Sequence, residues 1–280
     1  MVFDSYNYTK EELAIRISTI IDAGREKLER QEVLKKIISI IDLTTLSGDD
    51  TNLRVTELCN KAYSYENEVA GIPNVAAVCV YPVFAKLVST LLSGHNIATA
   101  CVAGAFPSGQ SPLHIRTAEV RDAVENGADE IDMVISRGKL IEGNEKFITE
   151  EVSAIKKACG KAHLKVILET GELVSVTNIR KASELSILAG ADFIKTSTGK
   201  ISPAATPEAF LIMLDTIKEY YDKTGSMIGI KPAGGISTPD EAMVYYTLVS
   251  EILGDSWLSR DYFRIGASRL TDNVFNEIIK

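Results

Sequence analysis

Two lysines, Lys195 and Lys231, end short apolar runs that pass into turns rich in glycine and hydroxyls. The runs are Ala191-Asp192-Phe193-Ile194-Lys195-Thr196-Ser197-Thr198-Gly199-Lys200 and Met227-Ile228-Gly229-Ile230-Lys231-Pro232-Ala233-Gly234-Gly235. An ammonium group is costly to desolvate, so a lysine in an apolar strand needs a reason. One reading is a strand-end lysine that snorkels to water. The other is an amine nucleophile. The two runs lie one strand–helix unit apart. If the strands are neighbours, both lysines reach the same rim and each disfavours the other's charge. One pKa then falls towards neutrality because of its neighbour, and a neutral amine is what Schiff-base chemistry requires.

The elements that position these lysines follow a regular alternation. Apolar or β-branched runs at 37–41, 75–80, 97–102, 130–135, 164–168, 192–196, 227–230 and 262–265 read as strands. Amphipathic segments at 52–68, 83–93, 112–126, 145–159, 176–189, 207–221, 239–253 and 272–279 read as helices. Ser111-Pro112, Thr206-Pro207 and Thr238-Pro239 set a cap residue before a proline in the first turn. Gly127 and Gly190, each in a Gly-Ala-Asp sequence, close a helix just before a strand. Eight such units call for a parallel sheet. A doubly wound open sheet is the alternative, but Asp42-Leu43-Thr44-Thr45 follows the first strand where a GxGxxG would stand. The fold expected is an α/β (β/α)8 TIM barrel over residues 35–280. Residues 1–34 read as a helical extension: Leu13, Ile17, Ile20 and Ile21 have a helical period, and the charged run 25–30 reads as a solvated face.

Functional groups of such a barrel sit at the carboxyl ends of its strands. By alternation, Ile131, Met133 and Ile135 face the helices, and Glu130, Asp132 and Val134 face inward. Strand five turns Lys165 and Ile167 inward, strand six Lys195, strand seven Lys231, strand one Asp42 and strand two Cys79. A structural barrel fills its interior with branched apolar side chains. This one brings lysines and carboxylates together there, and the alternative to catalysis is a buried ion-pair network. Even-numbered strands share interior layers, so Asp132 can face Lys195 across a small gap and shuttle its protons. Gly199 with Lys200, Gly234 with Gly235, and Gly266 with Ser268 follow strands six, seven and eight. Glycines let backbone N–H groups approach an anion, and loops in these positions commonly hold phosphate.

Composition bounds the rest. At 280 residues the chain fits one barrel domain, and its net charge of −8 argues against a nucleic-acid or anionic-membrane surface. Cys59, Cys79, Cys101 and Cys159 have no CxxC spacing and read as free thiols, and His95, His114 and His163 are not spaced as zinc ligands. No metal or cofactor is expected. Without a basic and apolar leader or a long apolar run, the expected location is the cytoplasm.

Seven segments, in order along the chain, resemble the deoxyribose-phosphate aldolase family. They are IDLTTL (Ile41–Leu46), AAVCVYP (Ala76–Pro82), GADEIDMV (Gly127–Val134), LKVILETGEL (Leu164–Leu173), FIKTSTGK (Phe193–Lys200), KPAGG (Lys231–Gly235) and IGAS (Ile265–Ser268). The resemblance implies a class I aldolase that reversibly cleaves 2-deoxy-D-ribose 5-phosphate to D-glyceraldehyde 3-phosphate and acetaldehyde. It makes Lys195 the Schiff-base lysine, Lys231 the lysine that perturbs it and Asp132 the catalytic carboxylate. It makes Asp42 a substrate contact, Lys165 the interior lysine of strand five and Cys79 the thiol open to aldehyde inactivation. The partners implied are a sugar phosphate and aldehydes, and a homodimer is compatible with it. Ile236-Ser237 stands where the common bacterial pattern has an arginine, and Arg269 where it has a second serine. Other Schiff-base lyases on this barrel and a non-catalytic sugar-phosphate sensor are the rival readings.

Overall fold

In the computed structural model, which describes residues 2–25, 27–69 and 71–280, eight short strands form one parallel sheet. They are β1 (Ile41–Thr44), β2 (Ala77–Val80), β3 (Ala98–Ala103), β4 (Glu130–Val134), β5 (His163–Ile167), β6 (Phe193–Lys195), β7 (Gly229–Lys231) and β8 (Ile265–Ala267). The order around the sheet is β7-β6-β5-β4-β3-β2-β1-β8. Main-chain bonds close the seam between β7 and β8: Ile230 N–H donates to Tyr262 O (2.8 Å), Arg264 N–H to Ile230 O (3.0 Å) and Gly266 N–H to Pro232 O (2.9 Å). The result is the expected (β/α)8 barrel.

The repeated Gly-Ala-Asp sequences act alike. Gly127 and Gly190 each have φ +98° and end a helix, a conformation that glycine adopts without a Cβ clash. The following aspartates then clip their strands to the preceding neighbour. Asp129 accepts from Thr99 N–H (2.9 Å) and Asp192 from Leu164 N–H (2.6 Å). Thr206 caps the helix Pro207–Thr224 and Thr238 the helix Pro239–Leu253, the latter through a capping box with Glu241. Ser111 caps nothing. The third helix of this kind starts at Leu113, with Pro112 in the cap position and no side-chain cap.

The strand expected at 37–41 is the clearest departure. Ile37–Ser39 is the last turn of the helix Arg30–Ser39, and β1 begins at Ile41. Val33, Leu34, Ile37 and Ile38 are its buried residues, a helical spacing that a five-residue apolar window hides. The last strand also starts later than expected, at Ile265 in place of Tyr262, although Phe263 already forms a bridge to Ile230. The segment 52–68 is two helices, Asn52–Ala62 and Tyr65–Glu68, and the loops after β4 and β5 carry the unforeseen short helices Arg137–Ile141 and Thr170–Leu173. The first helix, Lys10–Arg25, packs on Pro207–Thr224 and Pro239–Leu253, and Arg16 pairs with Asp215 at 2.7 Å. Glu26, within the charged run 25–30, lies outside the described residues. Among the described residues no helix is long and apolar enough to cross a membrane.

The large apolar core lies between strands and helices. Inside the barrel, β2 and β3 present a lining of small apolar side chains, Ala77, Cys79, Ala100 and Val102. Val134, Ile167 and Phe193 are also buried, and between these apolar groups the interior holds a cluster of charged side chains.

Candidate active site

Lys195 and Lys231 are register partners on the neighbouring strands β6 and β7, so their side chains leave the sheet side by side. Both ammonium groups donate to one oxygen. Lys195 Nζ lies 2.8 Å and Lys231 Nζ 2.7 Å from Asp132 Oδ2. Lys231 also donates to Asp42 Oδ2 at 2.5 Å. Lys165 donates to Glu130 and lies 3.4 Å from Asp132 Oδ1 and 3.8 Å from Asp42 Oδ2. Arg264, just before β8, donates to Asp42 Oδ1 (2.7 Å) and Glu130 Oε1 (2.7 Å). The alternation of strand faces accounts for every inward group named from the sequence.

Burial and charge compete in this cluster. Burial pushes the Lys195 pKa down, Asp132 resists, and Lys231 pushes it further down; the net shift is downward. The depression expected from Lys231 therefore has a larger cause, which is desolvation. For Lys231 burial acts the same way, but Asp132 and Asp42 outweigh it and hold its proton firmly. Burial raises Asp132, yet Lys195, Lys231 and Lys165 overcome it and keep the carboxyl well below its usual range. The two lysines are thus split: one is a firm cation, the other leans towards the free amine. One oxygen of Asp132, Oδ1, is buried without a hydrogen-bond donor, and the Lys165 ammonium is the cation beside it, at 3.4 Å.

Lys195 forms part of the lining of a cleft of about 430 Å³ at the carboxyl ends of the strands. Gly199, Lys200, Gly234, Gly235, Gly266 and Ser268 line the same cleft, as do Ser237 and Arg269. Asp42, Cys79 and Lys165 do not; they are fully buried below it. Cys79 sits in the apolar lining of β2 and β3, where burial pushes its thiol up to about 11 and keeps it protonated at neutral pH.

Local packing explains two glycines. A Cβ on Gly234 (φ +85°) would lie 2.6 Å from Ala204 Cβ and 3.0 Å from Gly199 Cα, so the loops after β6 and β7 pack backbone to backbone. A Cβ on Gly266 would lie 3.1 Å from Lys231 Cε. Glycine there leaves Lys231 free to reach both aspartates.

The sequence reading missed several groups. Thr44, the last residue of β1, and Thr45, Leu46 and Ser47 after it form the cleft's opposite wall, and Lys200 Nζ reaches across to Leu46 O at 2.5 Å. Asp50 orders that wall by accepting from Thr45 Oγ1 (2.8 Å) and Ser47 N–H (2.9 Å). Glu169, buried, accepts from the hydroxyl of Thr198 (2.5 Å), and Thr198 Oγ1 in turn accepts from Lys200 N–H (3.1 Å). Arg264 carried one signal in the sequence: a charge in the apolar stretch before Gly266. Among the described residues no group of three His, Cys, Asp or Glu side chains is arranged to hold a metal ion.

The chain matches the model of the DeoC/LacD family aldolases over residues 36–252. It is 47% identical to the deoxyribose-phosphate aldolase of Mus musculus over 255 residues, covering 88% of this chain and 80% of the mouse protein. The Homo sapiens deoxyribose-phosphate aldolase is 46% identical over the same length and shares. The tetrameric deoxyribose phosphate aldolase of Aeropyrum pernix superposes with a TM-score of 0.73 at 26% identity, covering 93% of this chain and 97% of that one. With its lysines and aspartates gathered under a glycine-rimmed cleft, and with relatives so similar over most of its length, this chain belongs to the DeoC/LacD family of aldolases.

Proposed function

We propose that the chain cleaves 2-deoxy-D-ribose 5-phosphate reversibly to D-glyceraldehyde 3-phosphate and acetaldehyde, with Lys195 as the Schiff-base nucleophile. What supports this most is the pairing of Lys195, buried but open to the cleft, with Asp132 at 2.8 Å. The free amine of Lys195 attacks C1 of the open-chain sugar, and loss of water leaves a protonated imine. The C2–C3 bond then breaks. Its electron pair moves into the imine to form an enamine, and the C3 hydroxyl gives up its proton as the carbonyl of glyceraldehyde 3-phosphate forms. Protonation at C2 and hydrolysis release acetaldehyde and regenerate the amine. Asp132, ionised and next to Nζ, takes and returns protons in the addition and dehydration steps, directly or through a water. Lys231 remains a cation throughout and keeps Asp132 ionised.

The test is borohydride reduction in the presence of acetaldehyde, followed by peptide mapping. An ethyl group on Lys195 is expected. A label on Lys231, or none on either lysine, overturns the assignment.

The sugar phosphate is assigned to the loops after β6, β7 and β8. Lys200 exchanges its bond to Leu46 O for the phosphate, and Arg269 adds a second cation on the same rim. Lys200→Ala is expected to raise KM for the phosphorylated sugar by about tenfold, the loss of one charge-assisted hydrogen bond of roughly 1.5 kcal/mol. KM for free deoxyribose is expected to change little, because the bond removed is made to the phosphate. Equal effects on the two sugars would remove Lys200 from the phosphate site.

A further inference from the structure

The charged side chains of the barrel interior do not stop at the cleft. They continue to the opposite mouth, where Glu130 and Arg264 border a separate cavity of about 440 Å³. Four cationic side chains (Lys165, Lys195, Lys231 and Arg264) meet three carboxylates (Asp42, Glu130 and Asp132) in one connected set of ion pairs, and none of the seven side chains is more than 5% exposed. Phe193 packs beside the lower end of this set, with Lys165 Nζ 5.7 Å and the Arg264 guanidinium 5.9 Å from its ring centroid.

With every group ionised the set carries one excess positive charge. A desolvated cluster resists net charge, so the fully protonated state favours release of one proton. An arginine does not release it. Lys231 is fastened between two carboxylates, and Lys165 lies within 4 Å of three. Lys195 touches only Asp132, at an oxygen that Lys231 shares. It is the most weakly held cation of the set.

We propose that Arg264 and Glu130, at the far mouth of the barrel, are positioning residues whose charges set how readily Lys195 exists as the free amine. The inference rests on the reading of Lys195 as the nucleophile. Neither residue reaches the cleft. Arg264 acts by saturating Asp42 and Glu130 with a proton it cannot lose, which leaves the carboxylates too few charges to hold all three lysines as cations. The groups facing Lys195 are Asp132 on β4, Lys231 on β7 and the protonated thiol of Cys79 on β2, with Lys165 on β5 behind them.

Charge counting gives opposite signs for the two residues. Arg264→Met leaves three lysines on three carboxylates, so Lys195 keeps its proton and its titration midpoint rises. Glu130→Gln leaves four cations on two carboxylates, and the midpoint falls. The double variant restores the single excess charge, as does Arg264→Lys, and both return the midpoint towards that of the wild type.

The measurement is competitive acetylation of Lys195 by acetic anhydride across pH, quantified by mass spectrometry of its peptide, with thermal melting of each variant alongside. A rise of about one pH unit is expected for Arg264→Met, an approximately tenfold smaller neutral fraction at pH 7, with a shift in the other direction for Glu130→Gln. Identical midpoints in all variants, or single variants that shift the same way, overturn the proposal, even if melting temperatures fall. Where Arg264→Met does not fold, Glu130→Gln against Arg264→Lys still gives the sign. Acetylation needs no substrate, so it is independent of the borohydride result. Trapping at Lys195 with immobile midpoints defeats this inference alone, and opposite shifts with trapping elsewhere defeat only the Schiff-base assignment.

Discussion

Lys231→Leu is expected to lower kcat/KM at pH 7 by about two orders of magnitude, with a deficit that shrinks as pH rises towards 9–10. Lys231 is the nearest cation to Lys195 that shares its carboxylate oxygen. Its removal takes away the repulsion that helps burial depress Lys195 and leaves Asp132 to hold the Lys195 proton. An unperturbed lysine is neutral in only roughly one molecule in 2,500 at pH 7. On the proposed Schiff-base route the sign follows directly: the rate tracks the free amine, a raised pKa moves the acid limb to higher pH, and alkaline buffer restores the amine. Asp132, held well below the usual carboxylate range, contributes no limb near neutrality. The same change removes an ion partner from both Asp42 and Asp132 inside the barrel. Both keep other partners, so the stability loss sits near the low end for a broken buried pair, about 3 kcal/mol, or roughly 10 °C in Tm. The check is a pH–rate profile with a melting curve. A deficit constant from neutral to alkaline pH would mean that Lys231 acts by touching substrate, and the argument from paired lysines would fail.

Lys195→Leu is expected to have no aldolase activity at any pH, because no amine remains to form the imine. Its stability should tell the opposite story from that of Lys231→Leu. The Lys195 side chain makes one hydrogen bond, to Asp132, which keeps Lys231 and Lys165 beside it. The loss is about 1 kcal/mol, a Tm change of a few degrees at most. The variant should also lose a pH dependence. The folded protein holds the Lys195 proton less tightly than the unfolded chain does. Between the folded pKa and about 10.4 the unfolded chain therefore binds more protons, and wild-type stability rises with pH through that window. This contribution is full above the unfolded pKa and lost as pH falls through the folded one. Melting curves of both proteins from pH 6 to 10 measure it. A Tm drop in Lys195→Leu as large as that of Lys231→Leu would show Lys195 to be a firmly held cation, and the free-amine reading would fall.

Most of the frame was legible in the sequence. Alternation of apolar and amphipathic segments specified eight strand–helix units, and period-two reading turned Asp42, Glu130, Asp132, Lys165, Lys195 and Lys231 to the interior, because the face a strand residue takes depends only on its local backbone. Gly199 after β6 and the pair Gly234-Gly235 after β7 were legible for the same reason, since a positive φ is a local demand. The sites of error were those where local signals conflict. Ile37–Ile41 has the composition of a strand, but Val33 and Leu34 extend it with a helical period, and packing decided for the helix. Other features had no local signature. That Lys195 and Lys231 meet in register and share one oxygen of Asp132 depends on the stagger of strands around a closed barrel. So does the reach of Arg264 to Asp42 and Glu130, 222 and 134 residues away. The division of the named residues between cleft wall and buried layer was equally non-local: Lys200, Gly234 and Ser268 line the cleft, whereas Asp42, Lys165 and Cys79 lie below it, because depth in a barrel is set by where the strands end relative to one another. Residue type and spacing thus determined which groups enter the interior, and barrel closure alone decided which of them touch and which of the lysines is free to lose its proton.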